Sequence, residues 1–101
     1  DPLLAASSWR QCQLVDGSTT HHRNYVRLRT RDEAGVIGRI GTCFGQAGVS
    51  IQSIVQFEGT SEGAEIVVIT HRVLEASFQA ALTAIRELAE VETIAACLRT
   101  L

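Results

Sequence analysis

The stretch YVRLRTRDEAGVIGRIGTCFGQAGVSI, residues 25–51, changes its hydrophobic period twice, and those changes decide the fold. Tyr25 to Thr30 alternates. Val26, Leu28 and Thr30 point one way, and Tyr25, Arg27, Arg29 and Arg31 the other, which predicts a strand. Asp32-Glu33-Ala34-Gly35 breaks that alternation. From Val36 to Ala47 the period is helical, with Val36, Ile37, Ile40, Phe44 and Ala47 on one face. Asp32 is placed to cap this helix, and Gly48 stands where a C-terminal glycine is expected. Val49 to Phe57 reads as a second strand. Ile51, Ser53 and Val55 share one face, and Gln52, Ile54 and Gln56 the other.

The pattern continues outward. Glu58 to Gly63 is a polar turn suited to a hairpin. Ala64 to Thr70 is apolar on both faces, as a central strand would be. Leu74 to Ala89 reads as a second helix with Phe78, Leu82, Ile85 and Leu88 on its buried stripe, and Thr93 to Thr100 as a last strand. The order strand–helix–strand–strand–helix–strand predicts an α+β, ferredoxin-like βαββαβ sandwich. Its four-stranded antiparallel sheet carries both helices on one face. The other face, with Val67 and Ile69 beside Arg27 and Arg29, is left bare and wants a partner. Gly41 and Gly45 are expected to let the first helix lie close to the sheet or a neighbour.

Upstream of Asn24 the chain is polar and carries the turn-like Asp16-Gly17-Ser18. Residues 1–23 are therefore expected to be a tail or linker from the end of a preceding domain, and 24–101 the folded domain. A chain of 101 residues with no methionine is expected to be an excised piece. That length makes one domain, and 46% hydrophobic against 20% charged residues favours a packed core over disorder. No apolar run approaches the roughly 20 residues of a membrane span, and the start has no basic region of the secretory kind. A cytoplasmic location is the expectation.

Function classes narrow in the same way. A net charge of -2 argues against a nucleic-acid partner. The Arg27, Arg29, Arg31 stripe is expected to pair with acids such as Glu65. Gly35, Gly38 and Gly41 recur every third residue, which is not the dinucleotide fingerprint, and without any lysine there is no phosphate-loop lysine. Cys12, Cys43 and Cys97 are spaced too widely for a zinc site and read as buried free thiols. His21-His22 lacks further ligands nearby. No catalytic and no metal residues are assigned. One local feature has binding chemistry. The first amides of the helix, at Gly35, Val36 and Ile37, could receive a carboxylate. Spacing alone favours Asp32 as the occupant of those amides instead.

Asp32-Glu33-Ala34-Gly35-Val36 and Gly48-Val49-Ser50-Ile51 resemble the D-x-P-G-V and G-[VI]-[NS]-I segments of the ACT domain, a small amino-acid-binding regulatory module. The resemblance covers residues 24–101 and implies the same βαββαβ fold. It implies an effector flanked by Thr30 to Ile37 and by Ser50 and Ile51. Asp32 would take the ammonium, the amides of Gly35, Val36 and Ile37 the carboxylate, and Ser50 the remaining polar group. Gln56 and Gln52 are further candidates. ACT sites commonly form where two domains meet, so a homodimer or higher homo-oligomer is implied. The sequence departs from the family where Ala34 replaces proline. That loosens the loop by up to about 1 kcal/mol.

The chain as a whole, including DPLLAASSW, Ile66 to His71 and Leu98-Arg99, is similar to the C-terminal end of a bacterial dehydrogenase of amino-acid biosynthesis. The resemblance implies a non-enzymatic regulatory piece without a cofactor of its own, the NAD(P) site lying in a catalytic part elsewhere. It implies feedback control by threonine. Serine or another amino acid, a ligand-free dimerisation module, and a single-stranded RNA binder on the open sheet are the alternatives.

Overall fold

The computed structural model describes residues 21–57 and 63–100. Residues 1–20 of the expected tail and 58–62 of the expected hairpin turn lie outside the described residues. The elements run β1 (His21–Thr30), α1 (Val36–Gln46), β2 (Ile51–Phe57), β3 (Ala64–Thr70), β4 (Val73–Leu74), α2 (Glu75–Arg86) and β5 (Val91–Thr100). All strand pairs are antiparallel. β1 lies between β3 and β5, and β2 pairs with β3 at an edge of the sheet. This is the ferredoxin-like order expected, with one addition. β4 is a two-residue strand against His21 and His22, so β1 begins three residues before Asn24. From Ile69 to Val73 four steps oppose three on β1, and β4 continues the line of β3 past this irregularity.

Burial follows the predicted alternation. Asn24, Val26, Leu28 and Thr30 are buried on β1. Val26, Leu28, Ile66 and Val68 meet Val36, Ile40, Cys43 and Phe44 of α1 and Phe78, Ala81, Leu82 and Ile85 of α2 in one core. Both helices therefore cover the same sheet face. Phe44 and Phe78 stack at a centroid distance of 6.4 Å and join the two helices over the sheet.

Four expectations change. Ile51 does not share a face with Ser53 and Val55. A register shift falls between Ile51 and Ser53, so Ile51 turns toward the core while Val55 is exposed opposite Val67. A one-residue slip reverses the face of every residue beyond it. Asp32 does not cap α1. The N-cap is Gly35 at φ 83, and no side chain bonds the helix start. A Cβ at Gly41 or Gly45 would meet nothing within 4 Å, so neither marks a close approach among the described residues. Cys43 is the buried free thiol expected, and burial pushes its pKa up, but Cys97 is disulfide-bonded.

Gly63 opens β3 at φ 131, and a Cβ there would stand 2.4 Å from the Thr30 carbonyl oxygen. Gly63→Ala should cost at least about 2 kcal/mol, since backbone must move at a conformation alanine rarely takes. Urea unfolding of the variant measures it, and an unchanged midpoint refutes the close approach.

Candidate functional site

The β1–α1 loop is built from an exposed acidic run between a buried strand end and a buried helix start. Thr30 is buried, and its Oγ1 has no hydrogen-bond partner among the described residues. Asp32, Glu33, Ala34 and Gly35 are exposed. The Val36 N–H donates to the Glu33 carbonyl at 3.4 Å, and the Arg39 N–H to the Gly35 carbonyl at 3.1 Å. Between them, the N–H groups of Ile37 and Gly38 meet no loop carbonyl, and the first turn of α1 holds no acidic residue. Left-handed Gly35 thus starts the helix with its positive end unanswered among the described residues. A small carboxylate fits that deficit.

Two ties from the α2–β5 turn hold this loop. Glu90 accepts the Arg31 N–H on its carbonyl at 2.8 Å, and its carboxylate pairs with Arg39 Nε. Arg39 Nη2 then donates to the Ala34 carbonyl at 3.3 Å. Arg31 and Glu33 are 3.9 Å apart at the surface.

The sheet register sorts the remaining candidates. Thr30 opposes Ala64, and Phe57 opposes Glu65, so Thr30, the α1 start and Gln56 lie toward one end of the sheet. Ile51 opposes Thr70, and the Ser50 carbonyl accepts the His71 N–H at 3.0 Å, so Ser50 and Ile51 lie at the other end. The seven residues of β2 separate the two ends by about 20 Å. One chain thus gathers Thr30, Asp32, Gly35, Val36 and Ile37, and leaves Ser50 and Ile51 apart from them.

Elsewhere, Glu65 lies 3.7 Å from Arg27 and 4.0 Å from Arg29, the cross-strand pairing expected of the arginine stripe. Among the described residues no three His, Cys, Asp or Glu side chains gather as a metal site requires. No described helix is long and apolar enough to cross a membrane. A second polar cluster had no signal in the hydrophobic pattern. Glu75 is buried at the start of α2, where Arg99 Nε and Nη2 donate to its two oxygens at 2.7 and 2.6 Å, and Gln79 donates at 2.7 Å. Burial raises the Glu75 pKa, but the hydrogen bonds from Arg99 and Gln79, with the charges of Arg99 and His22, outweigh it, and the net shift is downward.

The sequence profile of the ACT domain matches residues 24–90. The chain belongs to the ACT domain family. Over all 101 residues this ACT domain is 42% identical to a homoserine dehydrogenase of Synechocystis sp., covering 23% of that enzyme, at its C-terminal region. It is 33% identical over 79 residues to the Bacillus subtilis homoserine dehydrogenase, covering 18% of it. The crystal structure of a homoserine dehydrogenase from Thiobacillus denitrificans superposes with a TM-score of 0.67 at 27% identity, over 81% of this chain and 17% of that one. The chain therefore spans less than a quarter of the relatives it matches. It corresponds to their ACT regulatory domain and not to their catalytic part.

Proposed function

We propose that this ACT domain is the amino-acid-sensing end of a homoserine dehydrogenase and that its effector is threonine. The observation that carries the reading is the uncapped start of α1, whose Ile37 and Gly38 N–H groups meet no loop carbonyl, with a buried Thr30 Oγ1 that has no partner among the described residues at the other end of the loop. The effector carboxylate sits on those amides, and exposed Asp32 holds the ammonium. Ser50 and Ile51 come from a second copy. β2 is an edge strand, and antiparallel pairing of two such edges sets one chain's Ser50 end near the other's loop. The sensing domain begins at His21, where β1 starts, rather than at Asn24, and the residues before it lead in from the catalytic domain, whose cofactor is NAD(P). The assembly works in the cytoplasm. Inhibition requires that threonine prefer one arrangement of the attached catalytic domains, because equal affinity would shift nothing.

Calorimetric titration of the 101-residue chain with L-threonine, beside serine and other amino acids, tests this. Heat should appear with millimolar threonine, and Asp32→Asn should weaken binding by roughly tenfold, the loss of a charge-assisted contact. A dimer on a sizing column with no response to any amino acid would leave a ligand-free dimerisation module.

A further inference from the structure

We propose that Arg39 and Glu90 form a latch that holds the β1–α1 loop in its ligand-ready shape, making Arg39 a positioning residue for the effector. The proposal rests on the amino-acid-binding reading of that loop. Glu90 grips the loop at both ends. Its carbonyl takes the Arg31 N–H, and its carboxylate takes Arg39, which in turn bonds the Ala34 carbonyl. The guanidinium lies over Gly35, with Nη1 only 3.2 Å from where a Cβ would stand. It therefore covers the left-handed residue that starts α1.

The pairing is sheltered on one side. The Glu90 side chain is 16% exposed and that of Arg39 44%. Such a pair is screened less than a fully solvated one. Its physical task follows from Ala34. Proline at that position would fix φ without any side-chain contact. Alanine leaves φ free, and ordering the loop on binding then costs affinity. A tie from α1 to the α2–β5 turn removes that freedom beforehand. It also keeps the guanidinium engaged, so the effector carboxylate is left to the Ile37 and Gly38 amides.

Two measurements on the full 101-residue chain test the latch: amide hydrogen exchange over residues 32–38 without ligand, and threonine titration. Arg39→Gln and Glu90→Gln should each speed exchange there and weaken threonine by roughly three- to fivefold, the scale of a partly exposed ion pair. The double variant Arg39→Gln with Glu90→Gln should lose no more than Arg39→Gln alone, because the two side chains act as one tie. A far-ultraviolet spectrum matching the unaltered chain confirms that each variant is folded. Unchanged exchange overturns the latch, as does faster exchange with unaltered affinity, or losses in the double variant that add as if the two residues were independent. Tighter threonine binding by Glu90→Gln overturns it too, because Arg39 would then be a direct ligand. If no amino acid binds the unaltered chain, the sensing reading fails, and the exchange comparison alone decides whether the latch exists.

Discussion

Replacing Arg99 with leucine should destabilise the protein by about 3–5 kcal/mol, the cost of breaking a buried ion pair from one side. Glu75 is 2% exposed and Arg99 15%, and both carboxylate oxygens accept from the one guanidinium. Without it the carboxylate keeps the bond from Gln79 and little else among its described partners. The pH dependence supplies a second, sharper check. In the unaltered protein the Glu75 pKa is below its ordinary 4.5. Its contribution is present above the unfolded value and is lost as pH falls through the folded one. In Arg99→Leu, burial prevails and raises that pKa above the unfolded value. The variant's deficit should then grow as pH rises from the ordinary carboxylate range toward neutrality. Urea unfolding at several pH values measures the difference from the unaltered chain. A deficit that shrinks with rising pH would refute the assignment of Glu75 as the stranded charge.

The other large effect lies in the core. Phe78→Ala should cost about 3–5 kcal/mol, from lost burial and from the cavity left between the helices and the sheet. Phe78 is fully buried, and its ring stacks on Phe44, the main aromatic contact between α1 and α2. Domains of this size have roughly 5–15 kcal/mol in all, so the variant should be near unfolding at moderate temperature. Thr83→Ala, on the exposed side of the same helix, should change stability by less than about 0.5 kcal/mol. Thermal melts of the two variants give the comparison. Equal losses would mean that α2 is not seated by Phe78.

The site was half legible. Gly35 was visible as an element boundary, and its left-handed backbone explains why Asp32, three residues earlier, is not the cap. The amides named from helix chemistry were Gly35, Val36 and Ile37. The structure removes Val36, which already bonds Glu33, and adds Gly38, while the Gly35 and Ile37 N–H groups meet no loop carbonyl, as named. Glu90 carried no signal at all. It reaches Arg39 only because the α2–β5 turn folds beside the loop, and no local spacing encodes that.

What the sequence alone determined was the order and type of the six main elements and the buried residues of most of them. Alternation at Val26, Leu28 and Thr30, and helical spacing at Val36, Ile40 and Phe44, follow from backbone geometry within a few residues. The ACT motif belongs to the same local level. Tertiary structure decided what depends on register and on distant partners. It turned Ile51 to the core through a shift against β3, drew His21 and His22 into the sheet, and joined Glu75 to Arg99 and Arg39 to Glu90. It also set Ser50 at the opposite end of the sheet from Asp32. Side-chain period is a property of each strand by itself, whereas pairing register is a relation between strands, and only the assembled sheet holds it.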